Sequence, residues 1–89
     1  MHILVDIGNT NILFGKFNNL GLIEQLRIET EIFDKDVSSV ESKTYKKINN
    51  FIETDCVDCF ISGVVPDTIL SLINFMKNYV LHLKHLFEV

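Results

Sequence analysis

Alanine and tryptophan are absent from the 89 residues, and arginine and proline occur once each, as Arg27 and Pro66. Missing alanine beside abundant Ile, Asn, Lys and Phe reads as the imprint of an AT-rich genome, a matter of origin rather than function. The scarcity of arginine says more. With a net charge of −4 and no basic stripe, the chain is not built to hold nucleic acid. The cluster Lys43, Lys46 and Lys47 reads as the solvated face of a helix. No apolar run approaches the ~18 residues that a membrane helix needs. The start runs straight into Ile3-Leu4-Val5-Asp6, without a basic region or a small-residue cleavage site. The expectation is a cytoplasmic protein with neither nucleic acid nor membrane as partner.

Cysteine is also scarce. Cys56 and Cys59 form a Cys-Val-Asp-Cys pair, but zinc wants four ligands and no second pair exists. His82 and His85 make a Cys2His2 set arithmetically possible. The two pairs flank different elements, however, and a redox pair usually opens a helix where this one leads into a strand. Reduced, structural cysteines are expected.

The length allows one small domain, which buries only about 60–65% of its extended-chain surface. A hydrophobic fraction of 47% and a mean hydropathy of +0.24 are high for that size. They point to apolar surface meant for a partner or for further chain.

Alternation predicts a first strand over 2–7, with Ile3, Val5 and Ile7 on one face and Leu4 and Asp6 on the other. Ile12 to Phe17 is a second strand, Asn18-Asn19-Leu20-Gly21 a turn, and Leu22 to Ile28 a third strand. Such short connections make the three antiparallel neighbours. The period then becomes helical through Val37, Val40, Thr44, Ile48, Phe51 and Ile52, with Asp34 or Asp36 as N-cap. Cys59 to Val65 suits a strand buried on both faces. Pro66 and Asp67 open a mostly buried helix containing Ile69, Leu70, Ile73, Phe75, Met76 and Tyr79. Leu83 to Val89 reads as a last strand. The result is an α/β, ribonuclease H-like mixed sheet: three antiparallel strands, then helix, strand, helix and strand. It has too few helices to cover both faces. His2, Tyr45, Tyr79, Glu53 and Asp55 read as ordinary surface, packing or helix-end residues.

The chemistry lies in Asp6-Ile7-Gly8-Asn9-Thr10-Asn11-Ile12-Leu13-Phe14-Gly15. Gly8 lets backbone approach a ligand closely, and amides and side chains of a turn holding Asn9, Thr10 and Asn11 can donate to phosphate oxygens. Asp6 cannot meet phosphate directly, because like charges ~4 Å apart repel by about 4 kcal/mol at an effective dielectric near 20. It makes sense with a cation between, most simply hydrated Mg2+. The bland alternative is a hairpin turn. The Gly-Lys-Ser/Thr ending of a Walker A loop is missing.

This segment resembles the first phosphate motif of type III pantothenate kinases, members of the acetate kinase, sugar kinase and actin superfamily. Ile61-Ser62-Gly63-Val64-Val65-Pro66 is similar to a second segment of that family, and Leu26-Arg27-Ile28-Glu29-Thr30 fits after the third strand. The resemblance covers nearly the whole chain. It implies the incomplete first domain of an actin-like ATPase fold, with residues 1–89 as an ATP-phosphate-binding domain and the second domain absent. It further implies pantothenate and ATP as substrates, the first step of coenzyme A biosynthesis, Mg2+, a monovalent cation (K+ or NH4+), and a homodimer in the full-length form. Asp6, Ile7, Gly8, Asn9, Thr10, Asn11, Ile12 and Leu13 would line the ATP phosphates, with Asp6 facing the metal through water. Ser62 to Pro66 would be structural.

The family's Gly-x-Asp-Arg and Asp-x-Gly-Thr motifs do not occur in these 89 residues. No catalytic residue is therefore assigned within the chain, and the isolated chain is expected to be inactive. A non-catalytic fragment or accessory-factor-like interaction module of the same family is the alternative. A nuclease with Asp6 as metal ligand would need further carboxylates, and Glu24 is the only candidate on the next two strands.

Overall fold

The computed structural model describes residues 1–36, 42–52, 58–79 and 85–89. Strands β1 (His2–Ile7), β2 (Asn11–Asn18) and β3 (Gly21–Glu29) lead into helices α1 (Thr30–Asp36) and α2 (Lys43–Ile52). Strand β4 (Asp58–Gly63), helix α3 (Pro66–Tyr79) and strand β5 (His85–Glu88) follow. The sheet order is β3-β2-β1-β4-β5. The first three strands form the expected antiparallel meander, while β4 runs parallel to β1 and β5 parallel to β4. Gly21 closes the β2–β3 turn at φ 118°, a conformation that costs glycine little.

Alternation decides the layers. Ile3, Val5, Ile7, Ile12, Phe14, Ile28, Cys59 and Ile61 point to one side of the sheet. There they form a single core with Phe33 of α1, Ile48, Phe51 and Ile52 of α2, and Ile69, Leu72, Phe75 and Met76 of α3. Lys16 is also on this side, almost fully buried; its Nζ lies 4.7 Å from the centroid of the Phe51 ring and 3.5 Å from Glu24 Oε2. Removal of the ammonium from water is thus offset by a ring face and a carboxylate.

The opposite sheet face is open. Leu4, Leu13, Leu22 and Phe87 are each 37–49% exposed there. Phe60 stacks on Phe87 with ring centroids 5.1 Å apart. The strand expected to be buried on both faces is therefore buried on one: Cys59 and Ile61 face the core, and Phe60 and Ser62 are half-buried on the other side. Leu70 likewise departs from the mostly buried helix expected of α3, being 59% exposed.

The largest departure is α1. The helical period was expected to begin with Asp34 or Asp36 as a cap, yet a separate helix already spans Thr30–Asp36. Asp34 lies inside it and accepts the Thr68 hydroxyl hydrogen, shared between its two oxygens at 3.1 Å each, which ties α1 to α3. The cap of α2 is instead Ser42, whose Oγ accepts the Tyr45 amide at 2.9 Å. Ser42→Ala removes this capping hydrogen bond and should cost about 1 kcal/mol, read as a lower denaturant midpoint with unchanged slope. Val37, Val40, Glu53, Asp55, Cys56, His82 and Leu83 lie outside the described residues, as does the packing of Tyr79.

Cys59 is fully buried on the core side. His85 belongs to the other face, where its Nδ1 is 2.9 Å from Asp58 Oδ1. The two do not share a site. His2, half-exposed as expected, approaches the other oxygen of Asp58 at 3.5 Å. Tyr45 packs edge-on against Phe75.

Candidate functional site

Strand β1 carries Asp6 to the end of the sheet that faces the Gly8–Asn11 turn. Asp6 is exposed on the open face, opposite Leu13 of β2 and Ser62 of β4. Ile7 and Ile12, both fully buried, point into the core and can offer only backbone to a ligand. Leu13 stands on the open face with Asp6. Asn9 and Thr10 are exposed at the tip of the turn.

The expected residues thus divide between two hollows. Asn9, Thr10 and Asn11 line a polar hollow of about 460 Å³ together with Glu29 and Glu31. Asp6 and Leu13 line a mostly apolar one of about 350 Å³ with Leu4, Phe60 and Ser62 among its walls. Of the two carboxylates in the polar hollow, Glu31 already has a cation. Lys35 Nζ donates to its Oε1 at 2.8 Å. That hydrogen bond, and behind it the charge attraction, hold the Glu31 carboxyl below its ordinary range and the Lys35 ammonium above its own.

The turn is braced from within and from behind. Gly8 N–H donates to the Asn11 carbonyl at 2.9 Å, so this amide serves the turn and not a ligand. A Cβ at Gly8 would lie 3.2 Å from the same carbonyl oxygen, which gives the glycine a structural reason as well. From behind comes Thr30, 4% exposed: its hydroxyl donates to the Gly8 carbonyl at 2.8 Å and its amide to the Thr10 carbonyl at 2.9 Å. Sequence reasoning noted Thr30 only as part of a matching pentapeptide. A readable sign was the Glu31–Lys35 pair, whose i,i+4 spacing marks the start of a helix at that point.

The second segment meets the first at Ile7. Val64 N–H donates to the Ile7 carbonyl at 3.0 Å, and Gly63 stands opposite Ile7 in the parallel register. Contact is so close that a Cβ on Gly63 would sit 2.4 Å from the Ile7 oxygen. Glu24, the second carboxylate of the nuclease alternative, pairs with Lys16 on the core side, away from Asp6 on the open face. Among the described residues no three His, Cys, Asp or Glu side chains converge on a metal position. Among them, too, no helix is long and apolar enough to cross a membrane.

A five-stranded mixed sheet with this order of helices is the fold of actin-like ATPase domains. It is shared with a Porphyromonas gingivalis protein assigned as an N-acetylglucosamine kinase, at a TM-score of 0.68 and 12% identity over 99% of this chain and 33% of that one. Within that class the family is specific. The family model for type III pantothenate kinase matches residues 2–87, and the chain belongs to that family. It is 32% identical over 80 residues to the type III pantothenate kinase of Syntrophobacter fumaroxidans, and 30% identical over 78 residues to that of Finegoldia magna. These matches take in 89% and 86% of this chain but only 31% and 30% of the relatives, so the chain spans about a third of their length.

Proposed function

We propose that this chain supplies the ATP-phosphate part of a pantothenate kinase, which moves the γ-phosphoryl group of ATP to pantothenate and gives 4′-phosphopantothenate, the first step toward coenzyme A. The observation that best supports this reading is the meeting of both family segments at Ile7, where β1, the Gly8–Asn11 turn and the β4–α3 corner are held together by backbone contacts. Asn9, Thr10 and Asn11 would donate to phosphate oxygens from the exposed side of the turn. Asp6 and Glu29 add negative charge near that end of the sheet, so polyphosphate needs a cation beside them.

Hydrated Mg2+ fits this donor set. Asp6 offers one hard, exposed carboxylate, and Mg2+ is commonly held by one or two carboxylates together with substrate phosphates and its own waters. When bound, the ion neutralises phosphate charge. Phosphoryl transfer rests on such neutralisation and on positioning rather than on covalent help from the protein. Residues 1–89 then act as a ribonuclease H-like ATP-phosphate domain whose second domain lies elsewhere. A monovalent cation, a homodimer and a cytoplasmic setting belong to the same reading.

Product formation by the purified chain with ATP, Mg2+, K+ and pantothenate tests it, beside calorimetric binding of Mg·ATP. Binding without turnover is expected. Asp6→Asn should weaken Mg·ATP binding about tenfold, the scale of one lost interaction with a charged group, and leave the melting temperature in place. Absence of Mg·ATP binding by the unmodified chain would remove the phosphate-loop reading. Turnover abolished by Asp6→Asn would mean that a base for the pantothenate hydroxyl exists within these residues.

A second reading, a non-catalytic interaction module of the same family, is favoured by the open apolar face bearing Leu4, Leu13, Leu22 and Phe87. It predicts a chain that binds a partner polypeptide yet has no affinity for Mg·ATP.

A further inference from the structure

We infer that Thr30 is a positioning residue for the phosphate loop: it sets the direction of the loop's amides by holding two of its carbonyls from behind. This role rests on the phosphate-binding reading of residues 6–13. It draws on three hydrogen bonds that converge within one turn of chain.

The Thr30 hydroxyl donates to the Gly8 carbonyl and the Thr30 amide to the Thr10 carbonyl. A trans peptide is planar, with its N–H opposite its C=O, and the described chain has no cis bonds. Fixing the Gly8 oxygen therefore fixes the Asn9 N–H, and fixing the Thr10 oxygen fixes the Asn11 N–H, each directed away from Thr30. Gly8 N–H is spent on the Asn11 carbonyl and the Ile7 carbonyl on the Val64 amide, so the Ile7–Gly8 peptide that enters the turn cannot rotate without breaking a bond on either side. Preset donors of this kind lower the ordering cost that a ligand would otherwise meet.

Thr30 can act in this way because its own place is fixed. It is 4% exposed and is the first residue of α1, whose Phe33 is fully buried and whose Asp34 is bonded to Thr68 of α3. No charge or reacting atom is supplied by Thr30. Its contribution is the geometry of backbone groups two elements away in sequence.

The test uses the whole chain, with Mg·ATP as probe. Thr30→Val keeps the shape and the backbone bond but removes the hydroxyl. Thr30→Ser keeps the hydroxyl and removes the methyl, and Thr30→Ala serves if the valine variant does not fold. Mg·ATP affinity should fall about tenfold in Thr30→Val and stay within about twofold in Thr30→Ser. Hydrogen exchange at the Gly8 amide should quicken about tenfold in Thr30→Val, with core amides of β1 and β4 unchanged, a local effect that simple destabilisation would not give. Unchanged affinity and unchanged Gly8 exchange in the valine variant would overturn the role of Thr30 alone. Failure of the unmodified chain to bind Mg·ATP would overturn it together with the phosphate-binding reading.

Discussion

Gly63→Ala should lower stability by about 1–3 kcal/mol, as overpacking does in a close-packed interior, although only one methyl is added. The new Cβ would lie 2.4 Å from the Ile7 carbonyl oxygen and 2.7 Å from Ile7 Cβ. Neither is the loose end of a side chain. Relief requires β4 to draw away from β1 at its C-terminal end, which stretches the 3.0 Å bond from Val64 to Ile7. For a chain of this length each kcal/mol corresponds to a drop of about 4–8 °C in melting temperature. The displaced Ile7 carbonyl adjoins Gly8, so nucleotide affinity should fall with stability. Gly15 provides the control. A Cβ there would come within 2.8 Å of the Phe17 ring, a half-buried side chain on the open face that can turn aside. Equal costs for Gly15→Ala and Gly63→Ala in paired denaturant titrations would show that the backbone contact at Ile7 is not what constrains this corner.

Phe33→Ala should cost about 3–5 kcal/mol, the range for removing a large buried aromatic. Phe33 is fully buried and meets Phe75 edge-on, with ring centroids 6.3 Å apart. Domains of this size hold only about 5–15 kcal/mol in total. A loss of that size consumes much of the margin and releases α1, which carries both Thr30 and Asp34. Phe33→Leu, which refills most of the space, should recover the greater part of the loss. A melting temperature within about 2 °C of the unmodified chain for the alanine variant would mean that α1 contributes little to the fold.

The meander and α3 were legible because each was written twice, once in the side-chain period and once in its punctuation. Ile3, Val5 and Ile7 alternate with polar or exposed positions, and Gly8 and Gly21 close the turns. The open second face was also legible, since the two helices that the sequence shows are too few to cover both faces of a sheet. Helix α1 was not. Its seven residues span barely two turns, and Phe33 is the fully buried one among those whose burial is described, too short a stretch for a period to show. Strand β4 misled for a related reason: an uninterrupted apolar run reads as burial on both faces, whereas Phe60 is left half-covered. At the site, residue types gave the loop but not its support. Asn9, Thr10 and Asn11 are visible as turn donors in any sequence. That Thr30 is their brace depends on antiparallel register, which brings the end of β3 against the turn. The division of Asp6 and the turn between two hollows is likewise a product of pleat and register.

The order in which these contacts can form follows from where they lie along the chain. The Gly8–Asn11 turn, β1, β2 and β3 are successive, and Thr30 comes directly after them, so the loop and its brace need only local closure. The bond from Val64 to Ile7 joins β1 to β4 across two helices, and its larger loop carries a larger entropy of closure. Our hypothesis is that during refolding the meander acquires its turn early and acquires the Gly63 corner late. Pulse-labelled hydrogen exchange would show this as protection at Gly8 preceding protection at Val64, and simultaneous protection would refute it. In a growing polypeptide, the loop proposed to grip phosphate would then exist for a time as a braced hairpin, before the strand that fixes its far side has been made.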